Sequence, residues 1–215
     1  MYIPKFNEET RPEVMQRLIE SHPLATLITM GGAGLFASHL PMLFEPGVGA
    51  EDGPHGTLRG HLARGNPQWK DFSAEVEALA IFSGPEHYIT PSWYPEKAQD
   101  GKVVPTWNYA VVHAYGPLRM IEDAAWLLAH VRALTERHEG SFTQPWSVDD
   151  APAEYVAGLT RGIVGVELPI RRIEGKWKVS QNKSKETREA IGQGLAELDS
   201  PDALAMRALV SSERA

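Results

Sequence analysis

Alternating apolar and polar positions dominate most of the chain, and this period of two predicts β-strands that bury one face. Residues 31–34, with three glycines, predict the turn of a hairpin. Pro41 lies inside the second strand of that hairpin and predicts an edge strand or a bulged strand, because proline cannot donate to a sheet ladder. We predict seven or eight strands, at residues 24–30, 35–44, 57–62, 75–82, 106–115 (which bends at Gly116–Pro117 into 118–121) and 163–168, and in a hairpin over 170–180 that turns at Glu174–Gly175.

Helical periodicity is confined to a few stretches, most of them late in the chain. Each begins at a residue type that favours helix starts, such as proline at the first position or a side chain that caps the first turn. Because strands occur in runs without regular alternation with helices, the fold class is predicted as mainly β, with an antiparallel sheet or barrel and peripheral helices. The predicted helices are residues 12–21, a helix from Asp123 to Gly140, a short helix from Asp150 to Leu159, one from Ser184 and one from Ser200–Pro201.

Composition and charge narrow the function classes. The 215 residues include 42% hydrophobic residues and no cysteine, which excludes a disulfide scaffold, a thiolate nucleophile and an iron–sulfur cluster. The chain fits a cytoplasmic protein, with no apolar signal segment at its start and no stretch long enough to span a membrane. Its formal charge of −7 gives no general attraction to a phosphate backbone, so binding of nucleic acid would need a local basic patch.

The first candidate cluster combines residues 38–41 (SHLP) of the second predicted strand with the end of the third predicted strand. His61, Arg64 and Asn66 stand there, and Gly60 and Gly65 allow a ligand to approach the backbone. The guanidinium of Arg64, with the neighbouring imidazole and amide, suits an anionic group. The alternative interpretation is a strand that ends in a turn with a solvated arginine.

The second cluster combines aromatic rings with hydroxyl and amide groups. It suits a flat heteroaromatic ligand, whose ring would stack on the aromatic side chains while the polar groups meet its edge. The alternative interpretation is that these rings pack in the core. The cluster consists of Ser92, Trp93 and Tyr94 in a long loop and Thr106, Trp107, Asn108 and Tyr109 on the following strand.

The third cluster is residues 178–185 (KVSQNKSK), in which Gln181, Asn182 and Lys183 precede the helix predicted from Ser184. Backbone N–H groups at a helix start, with lysine beside them, attract anions. The alternative interpretation is a capped helix with solvated charges. The eight histidines of the chain are scattered and none shows metal-ligand spacing, so we predict no metal site.

Several long motifs, in the same order along the chain, resemble those of the PaiB family of FMN-binding negative transcriptional regulators. The resemblance extends from Met1 to about Gly192. It implies a split β-barrel of the FMN-binding type with C-terminal helices, usually a homodimer with FMN at the subunit interface, and a role in repressing genes for degradative enzymes and sporulation. The motifs are residues 1–6 (MYIPKF), 60–69 (GHLARGNPQW), 88–94 (YITPSWY), 104–109 (VPTWNY) and 180–184 (SQNKS).

The resemblance also implies which residues surround FMN. The first cluster would lie near the flavin, and the second would line its ring or its phosphate. The third cluster would reach the site across the dimer interface. Residues 1–199 would form one FMN-binding split-barrel domain, followed by a C-terminal helical tail at residues 200–215. Gly65 stands where the family has alanine, a departure that should be harmless.

Three functions remain open on the sequence. The first is FMN binding with negative transcriptional regulation, with DNA or a regulatory protein as a further partner. The net charge makes direct binding to duplex DNA unfavourable, so indirect regulation is expected. The second is an FMN-dependent oxidoreductase or flavin reductase without assigned catalytic residues, in which the cofactor carries the redox chemistry. The third is a haem-binding split barrel, with His39 or His113 as axial ligand.

Overall fold

The computed structural model describes residues 1–47 and 52–212, and over these residues it contains ten strands and six α-helices. The strands are β1 (Glu8–Glu9), β2 (Leu24–Gly31), β3 (Gly34–Pro41), β4 (Leu43–Glu45), β5 (Thr57–Ala63), β6 (Ala78–Ile89), β7 (Thr106–Gly116), β8 (Arg119–Ile121), β9 (Ile163–Pro169) and β10 (Arg172–Lys178). The helices are α1 (Pro12–Ser21), α2 (Glu96–Gln99), α3 (Ala124–Glu139), α4 (Ala153–Thr160), α5 (Lys185–Glu197) and α6 (Pro201–Ser211). Short 3₁₀ helices lie at Lys5–Asn7, Pro67–Trp69, Pro91–Trp93 and Val148–Asp150.

The strands form two sheets, and neither sheet closes on itself. The order is β1–β10–β7–β6–β2–β3 in the six-stranded sheet and β4–β5–β9–β8 in the four-stranded sheet. The pairs β2–β3, β4–β5 and β5–β9 are antiparallel. β3, which ends at Pro41, is the last strand of its sheet, so the predicted edge strand is confirmed. Open antiparallel sheets with peripheral helices are the architecture of a split β-barrel, which confirms the predicted fold class.

Contacts between residues divide the chain into two compact units, each of which is described by itself. Unit 1 comprises residues 1–18, 83–112 and 174 onward. Unit 2 comprises residues 19–82 and 113–173. Each unit therefore draws on distant parts of the sequence, so its local geometry depends on pairings that no short segment encodes.

In unit 1, helices α5 and α6 pack against each other through apolar side chains. Each helix begins at a serine whose hydroxyl accepts a backbone N–H, Ser184 for α5 and Ser200 for α6, as the sequence predicts. Among the described helices, none combines the length and the hydropathy that a transmembrane segment requires. The enclosed side chains of the α5–α6 pair are Ile191, Leu195, Met206 and Val210.

The predicted hairpin turn at Glu174–Gly175 is wrong, because β10 runs without interruption through both residues. A Cβ atom at Gly175 would lie 2.8 Å from the Sδ atom of Met15 and 3.0 Å from the carbonyl oxygen of Glu9. The glycine therefore allows α1 and β1 to approach β10 closely. Because β10 is regular, its alternate residues share one face of the sheet, and this positions two lysines of the candidate site.

Unit 2 is built on the β5–β9 pair, with α3 packed against β9. Leu58 and Val166 are fully buried between these elements. Asp123 caps α3 through its side chain, as predicted. At Gly165 of β9 a Cβ atom would overlap the indole ring of Trp126. The absence of a side chain at this position therefore sets how closely α3 approaches the sheet.

The side-chain amide of Gln68 joins both strands of the β2–β3 hairpin to the 3₁₀ turn that follows β5. Gln68 is fully buried. Its Nε2 atom lies 3.2 Å from the carbonyl oxygen of Leu27, 3.1 Å from the hydroxyl of Thr29 and 3.4 Å from the carbonyl oxygen of Phe36. One side chain thus anchors this turn to two neighbouring strands.

Two further element boundaries differ from the prediction. The predicted helix start at Asp150 is wrong, because its carboxylate accepts a hydrogen bond from the backbone N–H of Ser147 and closes a capping box around a 3₁₀ turn. Helix α4 begins only after Pro152. Strand β6 continues to Ile89, past the predicted end at residue 82.

Candidate functional site

Two aromatic side chains on neighbouring strands of unit 1 form an exposed pair. The rings of Tyr88 on β6 and Trp107 on β7 have centroids 6.1 Å apart and planes inclined by 61°. Trp107 is 49% exposed and Tyr88 is 45% exposed. On β7 every second residue from Asn108 onward is buried, so the alternation of the strand directs the indole of Trp107 to the outer face. Core packing therefore does not account for these two rings.

The ammonium group of Lys178 contacts the start of β7, where Trp107 lies. Its Nζ atom donates hydrogen bonds to the hydroxyl of Thr106 and, over 2.6 Å, to the carbonyl oxygen of Trp107. Burial lowers the pKa of Lys178, and the positive charge of Lys176 lowers it further. The strand order, with β10 next to β7, brings these groups together although they are far apart in sequence.

A second lysine on the same face of β10 is enclosed by aromatic rings. The Nζ atom of Lys176 lies 5.2 Å from the ring centroid of Tyr109 and 5.8 Å from that of Tyr2, and it donates to the carbonyl oxygen of Tyr2 over 3.1 Å. Cation–π attraction stabilises a charge held in this way. We call the following set the aromatic–lysine face: Tyr88, Thr106, Trp107, Tyr109, Lys176 and Lys178.

Asn108, a predicted ligand-binding residue, points into the interior of unit 1. Its Nδ2 atom donates to the hydroxyl of Ser180 over 2.9 Å, and that hydroxyl donates back to Oδ1 over 3.2 Å. Asn108 is fully buried, and Ser180 has a φ angle of 62°, in the left-handed region. The amide therefore holds the unusual backbone turn that leads from β10 to α5.

The predicted loop residues Trp93 and Tyr94 pack against or beside α5. The indole of Trp93 covers Gly194, where a Cβ atom would overlap the ring. Tyr94 is 3% exposed, and the Nζ atom of Lys183 lies 4.9 Å from its ring centroid. Burial raises the pKa of Tyr94, and the negative charge of Glu96 adds to this effect. These contacts tie the loop to the helix, and core packing accounts for Tyr94.

The start of α5 already holds a carboxylate of the protein itself. Glu96 accepts a hydrogen bond of 2.7 Å from the hydroxyl of Thr187 in the first turn, and this bond is the main reason why the pKa of Glu96 is lowered. The hydroxyl of Ser184 accepts the backbone N–H of Thr187 over 3.1 Å. Negative charge is stabilised at a helix start, so Glu96 occupies the position where the sequence pattern predicts an anion.

The remaining predicted residues of unit 1 differ in whether their side chains form hydrogen bonds within the protein. The Nε2 atom of Gln181 donates to the carbonyl oxygen of Phe6 over 2.7 Å, so its amide serves the packing of the N-terminal segment. The hydroxyl of Ser92 accepts a hydrogen bond from Lys97. Asn182 is exposed.

In unit 2, the guanidinium of Arg64 is committed to contacts within the chain. It donates to the carbonyl oxygens of Arg161 and Ile163 over 3.0 and 3.2 Å, and to the carboxylate of Glu122 over 2.6 Å. Its carbon atom Cζ lies 5.4 Å from the ring centroid of Trp69. These partners fix the end of β5 and explain the arginine without a ligand.

The amide of Asn66 is likewise engaged on both sides. Its Nδ2 atom donates to the hydroxyl of Ser38 over 2.8 Å, and its Oδ1 atom accepts the backbone N–H of Gln68 over 3.0 Å. Asn66 thereby caps the 3₁₀ turn that follows and connects it to β3.

His61 pairs with a histidine of α3 that the sequence analysis does not single out as functional. The Nδ1 atom of His61 lies 3.2 Å from the Nε2 atom of His130, which is 5% exposed and stacks on Trp126 with a centroid separation of 5.2 Å. The guanidinium of Arg59 lies 5.9 Å from the Trp126 ring centroid. Burial, then the charges of His61 and Arg59, lower the pKa of His130 to about 4, and burial lowers the pKa of His61. The apolar face of α3, with Trp126 and His130 one turn apart, is the signal that points to this pair.

The two histidines considered as haem ligands lie elsewhere in unit 2. His39 is exposed on β3. The Nδ1 atom of His113 lies 3.3 Å from the hydroxyl oxygen of Tyr115. Within residues 1–47 and 52–212, no group of three or more side chains is arranged to hold a metal ion. Neither histidine position favours haem over a flavin.

The predicted site residues divide between the two units. Ten of them belong to unit 1, and the three residues of the first cluster belong to unit 2. Within unit 1 the structure joins Thr106, Trp107 and Tyr109 to Lys176 and to Lys178, the first residue of the third cluster. Lys176 belongs to no predicted cluster, because the pairing of β10 with β7 that brings it to Tyr109 joins distant parts of the sequence.

Comparison with known proteins decides the family. Residues 1–172 match the model of the family described as "Putative FMN-binding domain". The chain belongs to this FMN-binding family. FMN is accordingly its cofactor, as the resemblance to PaiB proteins implies.

Relatives and solved structures agree with this membership. The Protease synthase and sporulation protein PAI 2 of Bacillus subtilis is 30% identical and covers 99% of this chain and 98% of that protein. An uncharacterised protein of Emericella nidulans is 35% identical and covers 92% of this chain and 91% of its own length. The solved structure of the FAD and haem binding protein from Mycobacterium smegmatis has a TM-score of 0.56 at 16% identity, over 87% of this chain and 80% of that one. The last likeness concerns the fold alone.

Proposed function

We propose that this member of the FMN-binding family is a flavin-dependent negative regulator of transcription that holds FMN on the aromatic–lysine face of unit 1. Membership of the family supports FMN binding. The name of the Bacillus subtilis relative, which refers to protease synthesis and sporulation, supports a regulatory role. Bound FMN would supply redox chemistry, so the redox state of the flavin is a natural signal for such a regulator.

One observation carries the placement of FMN: the half-exposed indole of Trp107 forms an aromatic pair with Tyr88, and the ammonium group of Lys178 binds the backbone carbonyl oxygen of the same Trp107. An exposed ring offers stacking area to a planar heterocycle. Lysine supplies positive charge for the phosphate ester. The chemistry of these side chains therefore fits FMN, which is a planar ring with an anionic tail.

The proposed regulation acts through a protein partner rather than through direct contact with duplex DNA. The formal charge of −7 opposes the approach of a phosphate backbone. A gel-shift assay at low salt, with FMN-loaded protein and its own upstream region, tests this directly. Specific retardation of the DNA would contradict indirect regulation and would show that the protein binds DNA directly.

The proposed assembly is a homodimer. Leu24, Leu35 and Phe36, on the β2–β3 hairpin of unit 2, are 62%, 74% and 38% exposed. Apolar side chains exposed in this number favour contact with a second protein surface. Sedimentation equilibrium with and without FMN measures the assembly, and a monomer at micromolar concentration in both conditions would exclude it.

The experiment that tests FMN binding is a fluorescence titration with a matched pair of tryptophan variants. We expect the wild-type protein to quench flavin fluorescence in a saturable manner. The W107A variant should bind FMN about tenfold more weakly or worse, because one stacking partner is removed. W146A is the control, since Trp146 belongs to unit 2 and is 48% exposed, much like Trp107 at 49%.

Two outcomes would count against the proposal. If the wild-type protein showed no saturable binding of FMN, the proposed function would be wrong. Equal affinities of W107A and W146A would keep FMN as the cofactor but place it away from the aromatic–lysine face.

A further inference from the structure

A cavity in unit 2 lies between the last turns of α3 and the segment that follows this helix. Its volume is about 290 Å³, just below the range of about 300–1,000 Å³ that is usual for ligand cavities. Residues of α3 that are three and four positions apart form one wall, and a segment before α4 forms the other. The residues that give the cavity its chemistry are Arg132, Glu136, Glu139, Trp146, Val148 and Asp149.

Contacts within the chain hold the two walls of this cavity together. The Oε2 atom of Glu139 accepts the backbone N–H of Trp146 over 2.9 Å, and the guanidinium of Arg132 pairs with the carboxylate of Asp149. The residue after Trp146, Ser147, belongs to the capping box that closes the following 3₁₀ turn. The cavity is therefore preformed, so a ligand that enters it does not have to order the second wall first.

An indole ring and an aliphatic side chain supply the apolar part of the lining. Val148 is 7% exposed, whereas Trp146 is 48% exposed although its backbone is fixed on Glu139. The indole N–H of Trp146 donates to no acceptor within residues 1–47 and 52–212. Because this ring is neither packed in the core nor held by a hydrogen bond, it offers its face to a flat apolar group or to a cation.

The polar part of the lining carries an excess of negative charge. The described lining residues include three carboxylates and one guanidinium, which Asp149 already neutralises. The carboxylate of Glu136 forms no ion pair or hydrogen bond in the part of the chain that the structure describes. Arg137, in the same turn, instead donates to the carbonyl oxygen of Glu20. The cavity also lies at the C-terminal end of α3, where the helix dipole favours positive charge. These features favour a cationic ligand over an anionic one.

We propose that this cavity binds a small arylalkylamine, with its ammonium group on the carboxylate of Glu136 and its aromatic ring against the indole of Trp146. A charge-assisted hydrogen bond to a carboxylate is about twice as strong as a neutral one. The ring adds apolar contact with the indole, which an alkylamine makes less well. All of these residues belong to unit 2, whereas the aromatic–lysine face belongs to unit 1, so the amine site does not depend on bound flavin.

The test follows the indole N–H signals of the six tryptophans by NMR while small probes are added to the wild-type protein at neutral pH. The signal of Trp146 is identified by its absence in W146A. Phenethylamine should shift this signal in a saturable manner, with a dissociation constant of about 1–5 mM, which is ordinary for a ligand of this size. 2-Phenylethanol lacks the charge and butylamine lacks the ring, so each should bind at least about tenfold more weakly.

Matched variants separate the contributions of the charge and the ring. E136Q keeps the shape of the side chain and should weaken phenethylamine binding about tenfold. E154Q changes an exposed glutamate of α4 that does not line the cavity, so it should bind like the wild type. The tryptophan variants of the flavin titration exchange their roles here. W146A should lose the amine and keep FMN, and W107A should keep the amine.

The outcomes separate this inference from the proposed function. If phenethylamine causes no saturable shift of the Trp146 signal, the proposal is wrong, and shifts confined to other indole signals would overturn it as well. Equal affinities for the three probes, or an unchanged affinity in E136Q, would contradict the assigned contacts. None of these results touches the proposed function, because FMN binding is measured separately by quenching. Conversely, a protein that binds the amine but no FMN would refute the proposed function and keep this inference.

Discussion

The Nδ1 atom of His61 lies 3.2 Å from the Nε2 atom of His130, so two titratable rings share a single hydrogen bond inside unit 2. One proton fits between the two nitrogen atoms. The Nδ1 atom of His130 is buried and meets no partner among the described residues, so a second proton on this ring would lack an acceptor. The pair is therefore held with His130 neutral, in line with the lowered pKa of both histidines.

This pair predicts a loss of stability in mild acid. Folding lowers the pKa of His130 from 6.5 to about 4, so between these values the unfolded chain binds more protons at this site than the folded chain does. The stabilisation is fully present above pH 6.5 and is lost as the pH falls toward 4. The loss should amount to about 2–3 kcal/mol in the free energy of unfolding. Urea unfolding measured across this pH range gives the profile.

Two variants on α3 isolate the contribution of His130. H130F cannot be protonated and keeps an aromatic ring against Trp126, so its stability should depend less steeply on pH. H138Q changes an exposed histidine of the same helix and should keep the wild-type profile. A wild-type profile in H130F would show that the acid sensitivity arises elsewhere.

Trp93 and Gly194 predict opposite effects for two glycine substitutions in α5. Replacing a helical glycine by alanine normally stabilises by up to about 1 kcal/mol. At Gly192 the new Cβ atom would lie 3.4 Å from the hydroxyl oxygen of Ser211, an ordinary contact, so G192A should show this gain. At Gly194 the new Cβ atom would overlap the indole of Trp93, so G194A should destabilise by about 1–3 kcal/mol.

Urea unfolding of both glycine variants, followed by tryptophan fluorescence, tests this difference. In G194A the emission of Trp93 should also shift to longer wavelength, because the displaced indole meets more water. Equal stabilisation of the two variants would mean that the indole moves aside without cost.

The buried pair of Asn108 and Ser180 predicts a structural role for Asn108. Its truncation in N108A leaves the buried hydroxyl of Ser180 without its partner and should cost about 1–3 kcal/mol. S180G removes the same hydroxyl while glycine accepts the left-handed backbone at this position. The double variant should therefore lose less stability than the sum of the single variants, which a double-mutant cycle measures.

A flavin titration of folded N108A distinguishes this role from a direct contact. Because Asn108 is fully buried, we expect its FMN affinity to stay close to that of the wild type. If N108A kept its stability but lost flavin binding, Asn108 would contact the ligand directly.

Much of the fold follows from local pattern, since alternation and capping residues act over a few positions. Asp123, Ser184 and Ser200 cap the helices that they were predicted to cap. The turn predicted at Gly175 is wrong because glycine occurs both in tight turns and where two elements approach each other closely. The local sequence does not distinguish these two cases. The close approach becomes visible only in the structure, where Glu9 and Met15 from the N-terminal segment lie against Gly175.

The candidate site is less predictable for a similar reason. Arg64 is a residue type that suits an anion, yet its partners are Glu122 and the carbonyl oxygens of Arg161 and Ile163, which lie far away in sequence. Long-range partners of this kind leave no local signal. Trp107 was singled out from the composition of its strand, and its exposure became visible only with the arrangement of β6 and β7.

Gln68 has a consequence for the edge of the six-stranded sheet. β3 is a long terminal strand, and its sequence GLFASHLP carries no lysine or acidic residue of the kind that usually keeps such strands from pairing with other chains. Because the buried amide of Gln68 binds both β2 and β3, the hairpin and the adjoining turn should open as one cooperative unit in hydrogen exchange. Exposure of this edge by local opening should therefore require that the contacts of one enclosed glutamine break.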